Sequence, residues 1–163
     1  VADVPIYVND DSNLADAGKV FTTNWEVSSI GTTEVPIALF RNPSGSGKTV
    51  KLIRLTLSNL HTVTSFIRVR AYGAPTITSD GTALSENSTK FGASAGSAEA
   101  FSSPTISANG TRIAQWLVPS FSNALIIPLD QFFILPETAV ILITGQADGT
   151  NRVCGGSLIW AEV

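Results

Sequence analysis

The 163-residue chain is short of charge. Asp, Glu, Lys and Arg together make up 14% of it, against about 25% in a typical soluble protein. It has one cysteine, one histidine and no methionine. A single Cys, Cys154, excludes an internal disulfide. It lies between Val153 and Gly155-Gly156 in an apolar run, so a buried, inert thiol is the simpler reading. A nucleophilic role would need a nearby base, and the only histidine is His61. One His, one Cys and scattered carboxylates fall short of the three or four ligands of a zinc site. Asp10, Asp11 and Asp16 lack the acidic spacing of a calcium loop. No run approaches the ~18 apolar residues needed to span a bilayer. The start, Val1-Ala2-Asp3-Val4-Pro5, lacks the basic and apolar regions of a signal peptide. Ten basic against thirteen acidic residues give a net charge of −3, poorly suited to gripping nucleic acid through phosphates. These absences lead to expectations of no catalytic residues, no cofactor, no metal, no nucleic acid and no membrane.

What is present is apolar and uncharged polar sequence. Hydrophobic residues reach 44%, and Ser plus Thr fill about one position in five. That excludes a charged disordered tail and fits poorly with long helices, whose exposed faces usually carry Glu, Lys and Arg. The patterning is strand and turn. Residues 20–27 are rich in β-branched and aromatic side chains, with a turn expected at 28–33. In the next strand Pro36 cannot donate to a ladder, so an edge, or a start after Pro36, is expected. Residues 50–57 alternate, with Leu52, Arg54 and Thr56 on one face and Ile53, Leu55 and Leu57 on the other. Residues 62–72 alternate more cleanly, placing Ile67, Val69 and Ala71 opposite Arg68, Arg70 and Tyr72. Further strands follow after 111. Val140, Leu142, Leu158 and Trp160 are expected in a central hairpin turning at 148–151.

Eight to ten short strands and no confident helix predict an all-β fold. The expected architecture is an antiparallel β-sandwich, jelly-roll-like, with an extended N-terminal arm. The domain organisation reads as an arm at 1–18 and a β-sandwich domain at 19–163, with a long excursion at 73–110. The excursion carries at most one or two short strands. Arm and excursion retain Ile6, Tyr7, Leu84, Phe91 and Phe101 on otherwise polar sequence. These five are the candidate interface residues, expected to be exposed on a free monomer and to meet another chain.

Asn42-Pro43-Ser44-Gly45-Ser46-Gly47-Lys48-Thr49 approximates a nucleotide-binding P-loop, but Asn42 stands where that motif has Gly. The segment after it alternates like a strand, whereas a P-loop opens a helix. A β-hairpin connection whose glycines supply positive φ is expected instead. Asn87-Ser88-Thr89 and Asn109-Gly110-Thr111 fit the glycosylation acceptor pattern, at a frequency chance explains. Trp25, Trp116 and Trp160 could stack on sugars, but each lies in or beside a strand, where it more simply serves the core.

Two stretches carry a family resemblance. The run Phe40-Arg41-Asn42-Pro43-Ser44-Gly45-Ser46-Gly47-Lys48-Thr49-Val50-Lys51-Leu52 resembles the N-P-x-G-S-G-K hairpin of small virion proteins of tailed bacteriophages, which an apolar strand follows. Residues 135–162, ending Trp160-Ala161-Glu162, are similar to the last two strands of such proteins, which often close on a Trp and an acidic residue. The resemblance covers about a third of the chain and is one of strand and turn. It implies a capsid decoration (cement) protein, a homotrimer binding the major capsid protein on the virion after assembly in the host cytoplasm. The alternative is a carbohydrate- or receptor-binding β-sandwich module of a tail, baseplate or head fibre. An enzyme is the least supported class.

Overall fold

The computed structural model describes residues 14–15, 17–61, 64–120, 124–129 and 133–163. Fourteen strands run through them: β1 (Val20–Ile30), β2 (Val35–Arg41), β3 (Val50–Asn59), β4 (Phe66–Gly73), β5 (Thr76–Ser79), β6 (Thr82–Ala83) and β7 (Asn87–Ser88), then β8 (Glu99–Ser102), β9 (Thr105–Ala108), β10 (Thr111–Pro119), β11 (Leu125–Pro128), β12 (Ile134–Leu135), β13 (Val140–Ala147) and β14 (Arg152–Glu162). One sheet has the order β11-β3-β14-β1-β7, with β12 also on β3; the other has the order β10-β4-β13-β2-β8-β6. The principal strands β1, β2, β3, β4, β10, β11, β13 and β14 thus form two four-stranded sheets, β11-β3-β14-β1 and β10-β4-β13-β2, all antiparallel. Every connection between consecutive principal strands changes sheet, except β4 to β10. The fold is an antiparallel β-sandwich with the two Greek keys of a jelly roll.

The core lies between the sheets. Phe21, Trp25, Leu55, Leu57, Leu158 and Trp160 come from one sheet, and Ile37, Phe40, Ile67, Val69, Ile141 and Ile143 from the other. Trp25 meets Phe40 edge-on across the interface, with centroids 5.5 Å apart. Gly156 makes room for Trp25, since a Cβ there would collide with the indole ring and approach the Thr56 carbonyl.

Several local expectations are corrected. Residues 42–49 do not close a hairpin, because β2 and β3 belong to opposite sheets; the loop arches across the end of the sandwich. For the same reason β13 and β14 are not a hairpin. Each is central in its own sheet, β13 between β4 and β2, and β14 between β3 and β1. Leu142, Leu158 and Trp160 are buried, while Val140 is half-buried. Nor is β2 an edge. It pairs with β13 and β8, but β8 covers only Ala38–Arg41, and a register shift beside Pro36 accommodates the missing donor. The turn expected from residue 28 is a bulge instead: Ser29 takes φ 66°, and β1 continues to buried Ile30. In β3, Trp160 pairs with Leu52 and Ile159 with Arg54, so Ile53 is an extra residue in the ladder. The bulge flips the phase, and Leu52 and Leu55 both face the core.

The 73–110 segment holds more structure than the one or two strands expected. β5 and β9 form a ribbon whose Ile77 and Ile106 pack on Leu39, Tyr72 and Leu142, on the outer face of the second sheet. β7 adds to the free side of β1. β8 adds to β2, and β6 to β8. The insertion therefore adds short strands to both sheet edges on one side of the sandwich, along Phe21–Thr22 of β1 and Ala38–Arg41 of β2.

Candidate functional site

The loop at 42–49 is built by Asn42. Its side chain is fully buried, donates from Nδ2 to the carbonyls of Lys48 and Leu135, and accepts at Oδ1 from the Ser46 hydroxyl. Gly45 and Gly47 adopt φ of 80° and 63°, as the turn requires. Their amides point at an internal anion: Gly47 N–H donates to the Glu137 carboxylate at 2.6 Å and Gly45 N–H at 3.4 Å. A carboxylate of the chain thus occupies the amides that a phosphate would need, and a strand follows where a P-loop requires a helix. Titration of ATP or GTP should give no binding signal, and Lys48→Ala should leave that result unchanged; nucleotide binding lost in the variant would overturn this.

Cys154 is fully buried, and burial alone pushes its thiol up to about 12. It is a core residue without thiolate character at neutral pH. His61 is partly buried, with its ring nitrogens 2.9–3.0 Å from the Arg152 guanidinium, which also pairs with Asp148 at 3.4 Å. Asp10, Asp11 and Asp16 lie outside the described residues. Among the described residues, no three His, Cys, Asp or Glu side chains converge to hold a metal ion.

The densest polar cluster sits on the outer face of the second sheet. Glu34 accepts from Arg70 at 2.6 Å, the Tyr72 hydroxyl at 2.8 Å and the Thr144 hydroxyl at 2.5 Å. Arg70 also donates to Gln115 and Gln146. Burial, and the Glu34 carboxylate beside it, raise the Tyr72 phenol above its ordinary value. Alternation in the sequence hinted that Arg70 and Tyr72 share a face; only the fold brings Glu34, Gln115, Thr144 and Gln146 to them. These groups satisfy one another, which makes the cluster a structural pin.

The surface that stands out is apolar and lies opposite the insertion. There the sandwich ends in β10 on one sheet and β11 and β12 on the other. Among the described residues β10 pairs only with β4. Beyond Arg112 the strand reads Ile113-Ala114-Gln115-Trp116-Leu117-Val118-Pro119, with no charge. Ile113, the bulged residue, is 49% exposed and Leu117 is 56% exposed; Ile126 and Ile134, on the facing strands, are 60% and 59% exposed. Between the two edges the core opens into a groove of about 350 Å³, lined by Ile113, Ala114, Trp116, Ile127, Leu129 and Phe133. It continues into a second groove of about 470 Å³ that shares Ile113 and Phe133 and runs on past Ile134 and Ala139.

The described residues among the predicted interface set, Leu84, Phe91 and Phe101, fall elsewhere. Ile6 and Tyr7 lie outside the described residues. Phe91 is fully exposed at a turn tip. Leu84 and Phe101, expected to be exposed on a monomer, are instead half-buried. Leu84 packs on the main core, while Phe101 packs on the Leu39–Tyr72–Leu142 cluster with the Arg41 guanidinium 5.2 Å from its ring. Insertion strands that return to the sheets take their apolar side chains with them. Of the tryptophans, Trp25 and Trp160 are buried and Trp116 is half-buried against the core. Ile113, Leu117, Ile126 and Ile134 were not singled out from the sequence. Their signal there was ordinary strand patterning, which does not distinguish an edge strand from a central one.

Set against known protein families and against curated proteins, the chain matches none.

Proposed function

We propose that the protein is a structural virion subunit that binds the capsid surface and itself, decorating and stabilising a phage head. The observation that carries this reading is the asymmetric treatment of the sheet edges. The insertion pairs β7 with Phe21–Thr22 of β1 and β8 with Ala38–Arg41 of β2, whereas among the described residues β10 pairs only with β4 and borders an apolar groove. Native proteins usually blunt such edges with charge, brevity or a covering element. The uncharged stretch from Ile113 to Val118, with Ile113 and Leu117 exposed, suits contact with another protein chain. The resemblance of residues 40–52 and 135–162 to small phage virion proteins gives that partner an identity, the major capsid protein, and suggests a homotrimer located on the virion. The alternative, a sugar- or receptor-binding module, has less support. Among the described residues the tryptophans contribute to the core, and Tyr72 is buried under the β5–β9 ribbon.

The test is to add purified protein to undecorated phage heads and measure bound copies and affinity. Saturable binding is expected. The double substitution Leu117→Lys with Ile126→Lys should weaken binding about tenfold or more, while thermal unfolding stays within a few degrees because both side chains are solvent-facing. Absent binding to heads, together with affinity for a glycan array, would replace this reading with the sugar-binding one.

A further inference from the structure

We propose that Asn109 is a self-modification site, at which the Gly110 amide closes on the Asn109 side chain and converts it to aspartate or isoaspartate, loosening the β5–β9 ribbon over Tyr72. The chemistry is intrinsic to the chain and independent of any partner.

Asn109-Gly110 is the only Asn-Gly pair in the sequence. Ring closure needs a backbone amide free to attack and a following residue that does not crowd the attack. The fold supplies both at Asn109 and withholds at least one elsewhere. Asn42 precedes Pro43, which has no N–H. Asn59 precedes Leu60, whose amide donates to the Val153 carbonyl, and its own side chain is held by Ser65 and the Val118 carbonyl. Asn24, Asn87 and Asn151 precede residues with side chains, Trp25, Ser88 and Arg152, that pair in the first sheet. Asn109 and Gly110 instead form the turn between two ladders, since Ala108 pairs with Thr76 and Thr111 with Gly73. Gly110 is exposed, and among the described residues its N–H donates no hydrogen bond. The turn cannot exchange this glycine for a safer residue. Gly110 adopts φ 85°, which disfavours other residues, and a Cβ there would collide with the Gly73 and Ala74 carbonyl oxygens.

The reaction consumes a water and releases an ammonia, with no change of oxidation state. Solvent base takes the Gly110 N–H proton, and the nitrogen attacks Asn109 Cγ. The Cγ–Nδ2 bond breaks, and the nitrogen leaves as ammonia with a proton from solvent. Water then opens the cyclic imide. Breaking the bond from the Gly110 nitrogen to Cγ gives aspartate; breaking the bond to the backbone carbonyl carbon gives isoaspartate, with the chain rerouted through Cγ.

Either product strains its surroundings. The Asn109 side chain lies within hydrogen-bonding reach of the Tyr72 phenol, which already donates to Glu34 at 2.8 Å. Conversion replaces a donor at that phenol with a second anion near Glu34. Isoaspartate also adds a backbone carbon to a turn whose Gly110 is wedged against residues 73–74. The adjoining strand, β9, carries Ile106, which packs with Ile77 of β5 on Leu39, Tyr72 and Leu142. The ribbon is therefore the element that gives way.

The test holds the full chain, folded, in mildly alkaline buffer and maps digested samples by mass spectrometry. The peptide containing Asn109 should gain the mass of an NH2-to-OH exchange and separate into two products of equal mass, before Asn24, Asn42, Asn59, Asn87 or Asn151 reacts. The folded rate should lie within about tenfold of that in urea-unfolded chain, because the turn needs at most local opening. In full-length Asn109→Asp, the amides of β5 and β9 should exchange at least about tenfold faster than in the parent chain, with those of β3 and β14 unchanged. A slower folded rate than this, or earlier reaction at another of these asparagines, would show that the fold shields the turn and would overturn the site. Unchanged exchange in β5 and β9 would overturn the loosening of the ribbon.

Discussion

Replacing Trp160 with Ala is expected to cost about 3–5 kcal/mol of folding stability, the range for a buried aromatic truncated in a core. Trp160 is 2% exposed on β14, the central strand between β1 and β3. Its ring stacks on Phe21, with centroids 5.9 Å apart and planes inclined by 29°. It also sits opposite the Ile53 bulge, where the partner strand changes phase. Neighbouring strands are hydrogen-bonded on both sides, so the backbone has little freedom to collapse into the vacated volume. Domains of this size are stable by about 5–15 kcal/mol, so the variant should lose roughly a fifth or more of its margin. The melting temperature should fall by roughly 8–16 °C. Urea unfolding of Trp160→Ala against the parent chain measures this directly. A loss below about 1 kcal/mol would mean that the indole is not in the core, reopening it as a ligand platform.

Glu162→Ala is expected to cost about 3 kcal/mol or more, by a different route. The Glu162 carboxylate is buried. It accepts from the amides of Ser97, at 2.7 and 2.9 Å, and Ala98, at 2.9 Å, and from the Trp160 indole N–H at 3.3 Å. Removing it leaves three donors unpaired, two of them on the insertion just before β8. Each buried unsatisfied group costs about 1–3 kcal/mol, and hydrogen bonds to a charged acceptor are the stronger kind. Glu162→Gln keeps one acceptor oxygen and should fall between the parent and Ala. The readout that separates this pin from plain packing is local. Hydrogen exchange at Ser97 and Ala98 should accelerate more than exchange in β3 or β4. Equal acceleration everywhere would show that Glu162 contributes only to global stability. The double variant with Trp160→Ala should be less destabilised than the sum of the two single changes, because the two side chains share a hydrogen bond.

The Trp-x-Glu ending thus has a physical meaning that the sequence could only hint at. As a motif it was a point of resemblance. In the fold, the Trp fills the core and the Glu reaches past the sheet end to fasten the insertion. Alternation made the strand at 66–72 legible residue by residue, and Ile67, Val69 and Ala71 do face the core while Arg68, Arg70 and Tyr72 face out. Alternation failed at Leu52, because one extra residue at Ile53 reverses the phase and nothing in the composition marks the bulge. Read as a turn, 42–49 carried its glycines correctly. What fills its amides, Glu137, comes from about ninety residues away and was not legible. The candidate interface fared similarly. Phe91 stands exposed as expected, Leu84 and Phe101 turn inward, and the open apolar side at β10 emerged only with the sheets assembled.

By itself, then, the sequence determined the all-β class, the positions of the long strands and which of their faces is apolar. Each follows from side chains a few residues apart, through a period of two and the φ preferences of Gly and Pro. The tertiary structure alone decided which sheet each strand joins, so that two expected hairpins became crossings between layers. It also decided which strands the insertion joins. Those outcomes depend on pairings between residues tens of positions apart, and a strand's local pattern is much the same whether its neighbour is another strand, a loop or water. That β10 pairs only with β4 among the described residues is a property of how the sheets assemble, and no residue of β10 encodes it.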